Sequence, residues 1–360
     1  MSPPNTLLEL NRFQEGIERV EKIRFGIIGC GVIAPWHARG ITNIEEAELV
    51  ACCDIIPERA EKLAADFGVP RVYTDHRELL ADGEIDAVCV CTPSGLHGSV
   101  AIDAAKAGKH VMCEKPVEIT LPKIDAMVKA CRKAGVKLGV IFQRRTSPTW
   151  HRVKQTIESG KLGKMVLGDA YLKYFRSQEY YDSGDWRGTW ELDGGGALMN
   201  QGVHMVDILR WVMGPAETIY ACADHLARKI EVEDTACAVI KWKSGAFGVL
   251  QGTTSVTPGM HHRLEFHGEL GSILTEGESI VKWAVPGEEE KKDEESAEIG
   301  SAASDPKAIG TEGHQMQIQD LCDAIVQDRD PMVTGEEARN AVEVILGVYE
   351  SARMGEPVHL

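Results

Sequence analysis

Apolar and polar positions over residues 23–142 alternate between two periods. Short apolar runs at 23–28, 48–53, 87–91, 110–113 and 137–142 read as buried strands, and helical spacing at 34–41, 57–67, 97–107 and 121–134 fills the gaps. Strands alternating with helices predict a parallel sheet covered on both faces, a doubly wound α/β domain. Beyond residue 142 the grain changes. A helix at 149–159 leads into longer alternating segments at 165–175, 219–227, 235–242, 246–254, 262–268 and 271–275, which predict an α+β domain with one largely antiparallel open sheet. Two amphipathic helices, 313–327 and 336–353, close the chain. Before the first strand, Leu7, Leu8, Leu10, Phe13, Ile17 and Val20 have the spacing of a helical packing arm. Residues 286–304, with the run from Glu288 to Glu295, read as a charged surface loop. The expected division is an arm (1–22), a doubly wound α/β domain (23–145) and an α+β domain (146–360).

Composition narrows the function. A chain of 360 residues exceeds what one core usually serves, in line with two domains. The net charge of −16 would repel a polyanionic backbone, so no nucleic-acid partner is expected. No stretch approaches the roughly 20 apolar residues of a membrane span, and the N-terminus lacks the basic and apolar regions of a signal peptide. Cys52, Cys53, Cys89 and Cys91 fall inside apolar strands, where free cysteine packs as a small hydrophobe. Cys89-Val90-Cys91 has no second pair at ligand spacing, so no metal is expected. Reduced cysteines place the protein in the cytoplasm. One face of the second sheet is left uncovered and is expected to pair with another subunit, giving a homodimer or homotetramer.

Gly29-Cys30-Gly31-Val32-Ile33-Ala34 follows the first strand and opens the first helix. Gly29 permits the tight turn, Gly31 lets backbone approach a pyrophosphate, and Ala34 keeps helix and sheet close. In a strand–turn–helix context this pattern predicts a dinucleotide. Asp54 ends the second strand, where a carboxylate binds a ribose diol and repels a 2′-phosphate; Arg59 lies one helical turn further on. NAD is therefore expected over NADP. The competing role for Asp54 is a helix N-cap before Pro57.

Two further segments carry chemistry. Val111-Met112-Cys113-Glu114-Lys115-Pro116 is an apolar strand ending in a charged pair at the ligand edge of the sheet. In Asp193-Gly194-Gly195-Gly196-Ala197-Leu198-Met199-Asn200-Gln201-Gly202-Val203-His204, a glycine turn feeds a helix that places Asn200 and His204 on one face. Asp207 is expected to orient the imidazole. On residues alone, His204 could equally be a packing histidine and Lys115 a surface charge.

These segments, with Thr92-Pro93-Ser94-Gly95-Leu96-His97, resemble the Gfo/Idh/MocA oxidoreductase family from about residue 22 onward. The resemblance implies a Rossmann domain, a substrate domain whose sheet packs between subunits, and a cis Lys115-Pro116 bond. It also implies that Lys115 polarises the substrate oxygen and that His204 takes its proton as hydride moves to NAD. Thr92, Pro93, His97, Glu114 and Gln143 would line the nicotinamide side, with Val32 and Ile33 in the phosphate loop. Many polyol and inositol dehydrogenases of the family carry Asp where this chain has Asn200. The segment Asn-Gln-Gly-Val-His instead resembles members acting at C3 of UDP-N-acetylhexosamines or their uronates.

The stretch Arg176–Trp190 combines Arg176, Tyr180, Tyr181, Trp186, Arg187 and Trp190. Aromatic rings stack on sugar faces and arginines bind carboxylate or phosphate, so this is the expected substrate pocket. Arg144 and Arg145 are expected to add positive charge to it. The leading function is an NAD-dependent sugar dehydrogenase. The alternatives are a glycoside-cleaving enzyme that oxidises C3 transiently, an inositol or polyol dehydrogenase, and a noncatalytic NAD or sugar sensor.

Overall fold

The computed structural model describes residues 22–289 and 310–360. All but the last residue of the expected arm, and the expected charged loop from residue 290 to 304, lie outside the described residues.

The first sheet has six parallel strands: β1 (Ile23–Ile28), β2 (Ala47–Cys53), β3 (Arg71–Tyr73), β4 (Ala87–Val90), β5 (His110–Cys113) and β6 (Leu138–Val140). Their spatial order is β3-β2-β1-β4-β5-β6. The helices between them are α1 (Ala34–Thr42), α2 (Pro57–Phe67), α3 (His76–Ala81), α4 (His97–Lys106) and α5 (Leu121–Ala134). Ile27, Val88, Cys89 and Val111 are fully buried, as expected of strands covered on both faces. Strand β3 and helix α3 were not legible, because three and six residues are too short to show a period. Asp75 still marks the helix by accepting a hydrogen bond from the Arg77 N–H, an N-cap. Strand order reverses between β1 and β4. That switch point opens a crevice above the carboxyl ends of the strands, where Rossmann folds bind ligands.

After α6 (Pro148–Glu158) comes an eight-stranded sheet: β7 (Met165–Lys173), β8 (Ala216–Asp224), β9 (Thr235–Trp242), β10 (Phe247–Thr253), β11 (Arg263–Gly268), β12 (Ser272–Glu276), β13 (Ser279–Ala284) and β14 (Val358–His359). The order is β13-β12-β11-β7-β10-β9-β8-β14. All neighbours are antiparallel except β7 and β10. The parallel pair arises because α7 (Gln178–Asp182), a π-helical turn (Ala197–Gly202) and α8 (Val203–Met213) interrupt the run of strands after β7. Helices α8 and α10 (Gly335–Met354) cover one face, burying Leu172, Ile219, Ile240, Leu250 and Phe266. The other face exposes Leu167, Tyr220, Val239, Phe247 and Val249. Helix α9 (Glu312–Val326) follows β13 in sequence yet sends Ile318, Leu321 and Cys322 into the core around β1 and α1. Among the described residues no helix is long and apolar enough to cross a membrane.

Candidate active site

The crevice begins at the glycine turn. Gly29 has φ +94°, and a Cβ there would lie 2.6 Å from the Cys91 carbonyl oxygen, so only glycine passes. A Cβ on Gly31 would meet nothing within 4 Å. Protein packing does not require glycine at that position, whereas close approach of a ligand does. Val32 is exposed beside it, Ile33 is half-buried, and Ala34 starts α1 fully buried. Asp54 accepts one hydrogen bond on each oxygen, from the Cys30 N–H (2.8 Å) and the Ile56 N–H (2.9 Å). It both turns the chain into α2 and ties the glycine loop to β2, and each oxygen keeps a lone pair for a ribose hydroxyl. Arg59 is exposed on α2, and Ile55 stands in solvent. Further along, the Thr92 hydroxyl and Gln143 Oε1 are buried with no partner among the described residues, which fits a bound polar group such as a nicotinamide amide. The site therefore fits a dinucleotide.

Lys115 stands at the end of β5, in a cis peptide with Pro116. Its Nζ donates to the Asn200 carbonyl at 2.9 Å. Asn200 lies in the π-helical turn that runs into the α-helix at Val203. Two features permit the π-turn. Gly195 and Gly196 admit Tyr349 and the Glu233 backbone where any Cβ would collide, and the Glu233 carboxylate accepts the N–H groups of Gly196 and Leu198. The expectation that Asn200 and His204 share one α-helical face is corrected by this turn. The Asn200 side chain instead donates to Asp193 (2.5 Å) and accepts from Gln201 (2.7 Å).

His204 packs edge-on against Phe142, and its Nδ1 is buried with no partner among the described residues. Burial, then the cations Lys115 and Arg144, hold its pKa well below the usual imidazole value. Asp207 does not orient it. Both Asp207 oxygens accept from Arg145, at 2.6 and 2.7 Å, and Arg145 also reaches Glu337. Arg145 is therefore a buried structural cation, not a pocket charge. Arg144 stays at the crevice but is paired with Glu278 at 2.8 Å.

Other expected residues divide in the same way. Arg176 donates to Gln201, and the Tyr180 hydroxyl accepts from Arg187 (2.6 Å) and Gln201 (2.9 Å). The Arg187 guanidinium stacks over both Tyr180 and Trp186. These five form one network. Tyr181 meets it only edge-on against the Tyr180 ring: its own ring is buried and its hydroxyl bonds to Thr254, so it is a core residue. Trp190 packs edge-on against Tyr349 and lines a separate cavity of about 630 Å³ with Glu231, Glu233 and Arg353. His97 is buried, with one ring nitrogen 2.8 Å from the Pro116 carbonyl and the other 2.9 Å from that of Thr92. It clamps two walls of the crevice together behind Pro93 and offers no free atom to a cofactor. Glu114 likewise faces inward, between His37 (2.8 Å) and His314 (3.3 Å). Burial would raise its pKa, but the His314 and His37 N–H groups hold it well below the usual carboxylate range.

A family model for an oxidoreductase with an NAD-binding Rossmann fold, Gfo/Idh/MocA, matches residues 23–142, and the family's C-terminal domain matches residues 150–274. The myo-inositol 2-dehydrogenase of Thermotoga maritima is 32% identical over 267 residues, 71% of this chain and 75% of that enzyme. The chain belongs to the Gfo/Idh/MocA family. It is an NAD-dependent dehydrogenase of that family. The WlbA dehydrogenase of Bordetella pertussis, solved with NADH and UDP-GlcNAcA, is 36% identical with a TM-score of 0.85, covering 94% of this chain and 99% of its own. The WlbA enzyme of Chromobacterium violaceum, solved with the same two ligands, is 33% identical with a TM-score of 0.83, covering 100% and 98%.

Within this Gfo/Idh/MocA framework, sequence reading assigned no role to Gln201, His37 or His314. Gln201 adjoins Asn200 and could have been found by position. The two histidines are 277 residues apart in sequence, and only the docking of α9 on α1 brings them together.

Proposed function

We propose that this family member oxidises the C3 hydroxyl of a UDP-linked N-acetylhexosaminuronate. The observation that carries the reading is local. Arg176 and Arg187 are joined through Gln201 and Tyr180, and Gln201 adjoins Asn200, whose carbonyl holds Lys115, so three cations gather in a chain of net charge −16. Such a concentration of cations suits an anionic sugar, and the Tyr180 and Trp186 rings beside it suit a pyranose face. Two neighbours that span nearly the whole chain bind UDP-GlcNAcA and NADH, which supports the same substrate class.

NAD held at the Gly29–Gly31 turn and Asp54 would supply the hydride acceptor. Lys115, anchored on the Asn200 carbonyl, donates to the reacting oxygen and makes its proton more acidic. His204, kept neutral by burial and by Lys115 and Arg144, is ready to take that proton. Inositol is disfavoured because the Asn200 amide, one N–H of which goes to Asp193, is neutral and cannot accept a proton.

Reduced-nicotinamide absorbance, followed with NAD and a panel of UDP-GlcNAcA, UDP-GlcNAc, myo-inositol and simple glycosides, tests the reading. Growth with UDP-GlcNAcA alone supports it. Growth with myo-inositol alone overturns the substrate, and glycoside cleavage without net NADH would favour a transient C3 oxidation.

The exposed face carrying Tyr220, Val239, Phe247 and Val249 is the proposed contact with a second copy. Val239→Glu with Phe247→Glu should lower the sedimentation coefficient to that of a monomer; an unchanged value sinks the contact. Eight of ten free cysteines are buried, in keeping with a cytoplasmic enzyme. We take residues 23–145 as the cofactor domain, and residues 146–360 as the substrate domain with α9 returned to the first.

A further inference from the structure

Asp193 ends the loop that carries Arg187, directly before the three glycines. It is buried, and both oxygens are engaged: Oδ2 accepts from the Gly188 N–H at 2.8 Å and Oδ1 from the Asn200 side chain at 2.5 Å. The loop is closed behind it, with the Asp193 and Gly194 N–H groups both donating to the Thr189 carbonyl. Asn200 is the residue whose backbone carbonyl holds Lys115. A chain of contacts therefore runs from a buried carboxylate through one amide residue to the lysine of the crevice.

We infer that Asp193 is a positioning residue of the reacting centre: through Asn200 it fixes the carbonyl that holds Lys115, and it sets a buried negative charge behind that contact. The inference rests on the reading that Lys115 sits where the chemistry occurs.

The charge balance around Lys115 supports it. Burial pushes the Lys115 pKa down, and Arg187 and Arg176 push the same way. Among the described residues that act most on it, Glu114 and Asp193 oppose them, and Glu114 is already shared with the His37 and His314 N–H groups. An uncharged amine could not serve as a cationic hydrogen-bond donor to a developing alkoxide. The groups facing Asp193 are Lys115 from the end of β5, Arg187 from its own loop, Tyr180 and Tyr181 from α7, and Tyr349 from α10. Burial raises its own pKa to about 6, so it is ionised at neutral pH, when Lys115 needs it. Asn200 and Asp193 together thus hold one amide and one carboxylate, with the negative charge placed behind the amide.

The test compares wild type with Asp193→Asn, which keeps the size, removes the charge and turns one of the two accepting oxygens into an N–H donor. Lysines are reductively methylated with 13C, the Lys115 resonance is assigned by its loss in Lys115→Arg, and its titration is followed by NMR with NAD bound. Asp193→Asn should lower the Lys115 titration midpoint by about one pH unit. An unchanged midpoint overturns the inference. If Asp193→Asn does not fold, Asp193→Ser, smaller and also neutral, carries the same measurement. The kinetic arm uses UDP-GlcNAcA: the alkaline limb of kcat/KM should move down by the same amount, while a lower rate with an unmoved limb would mean a merely structural role. Wild type inactive on UDP-GlcNAcA would sink the substrate reading alone, because the NMR arm needs no turnover.

Discussion

Arg144 and Arg145 are adjacent in sequence and meet opposite fates. Arg145 points into the core, where Asp207 takes it with two hydrogen bonds and Glu337 with a third. Arg144 points to the crevice, where it shares Glu278 and contributes to the field on His204. The contrast extends to their surroundings. The Arg145 cluster is a closed joint between α8, α10 and the turn after β6. Around Arg144, His204 Nδ1, Gln143 Oε1 and the Thr92 hydroxyl are buried without partners among the described residues. The Arg145 ion cluster is complete within the protein, whereas these three groups are open to a partner that a ligand could supply.

Substitutions on the two sides should therefore separate activity from stability. The largest effect is expected at Lys115. Lys115→Met should lower kcat by about 10³-fold or more, and His204→Ala by about 10²- to 10⁴-fold, with little change in the urea midpoint. Turnover within threefold of wild type would remove either residue from the chemistry. Arg145→Met leaves Asp207 buried and unpaired, so it should cost about 3–5 kcal/mol of stability in urea denaturation. Retained stability there would mean that the joint relaxes by admitting water.

Much of this was legible in the chain. Five strands of the first sheet, its glycine turn and the place of Lys115 at the end of β5 follow from short apolar runs and a motif, both of which are local. What escaped was set by long-range packing. Tyr181 and Trp190 look like pocket aromatics in a polar stretch, but the turn of α7 sends one ring into the core and the loop after it carries the other to a separate cavity. The partner of Asp207 could not be read from helical spacing, because Arg145 arrives from 62 residues away. The π-turn was also invisible: three glycines announce a bend, but its helical class depends on Glu233, supplied by a segment beyond β8.

A smaller effect is expected on cofactor choice. Asp54 repels a 2′-phosphate, and the nearby Arg59 is solvent-exposed. Asp54→Ser removes that repulsion and weakens the tie to Cys30. The ratio of Kd for NADP to Kd for NAD, measured by fluorescence quenching, should fall about tenfold. A wild-type protein that binds both equally would overturn the role given to Asp54.

The finest test returns to Arg144. His204 must be neutral to accept a proton, so activity falls as pH drops through its pKa. Burial, Lys115 and Arg144 place that pKa well below the usual imidazole value, and the acid limb belonging to His204 should accordingly lie below pH 6.5. Arg144→Gln removes one of the two cations, so the limb should move up by about 0.5 pH unit. Glu278→Gln strips Arg144 of its counter-charge and should move the limb down by a similar or smaller amount. Opposite signs from two partners of one ion pair cannot come from general loosening of the fold, which would shift both the same way. A shift of the same sign in both variants would break the contrast between Arg144 and Arg145, and would make Arg144 a second structural joint.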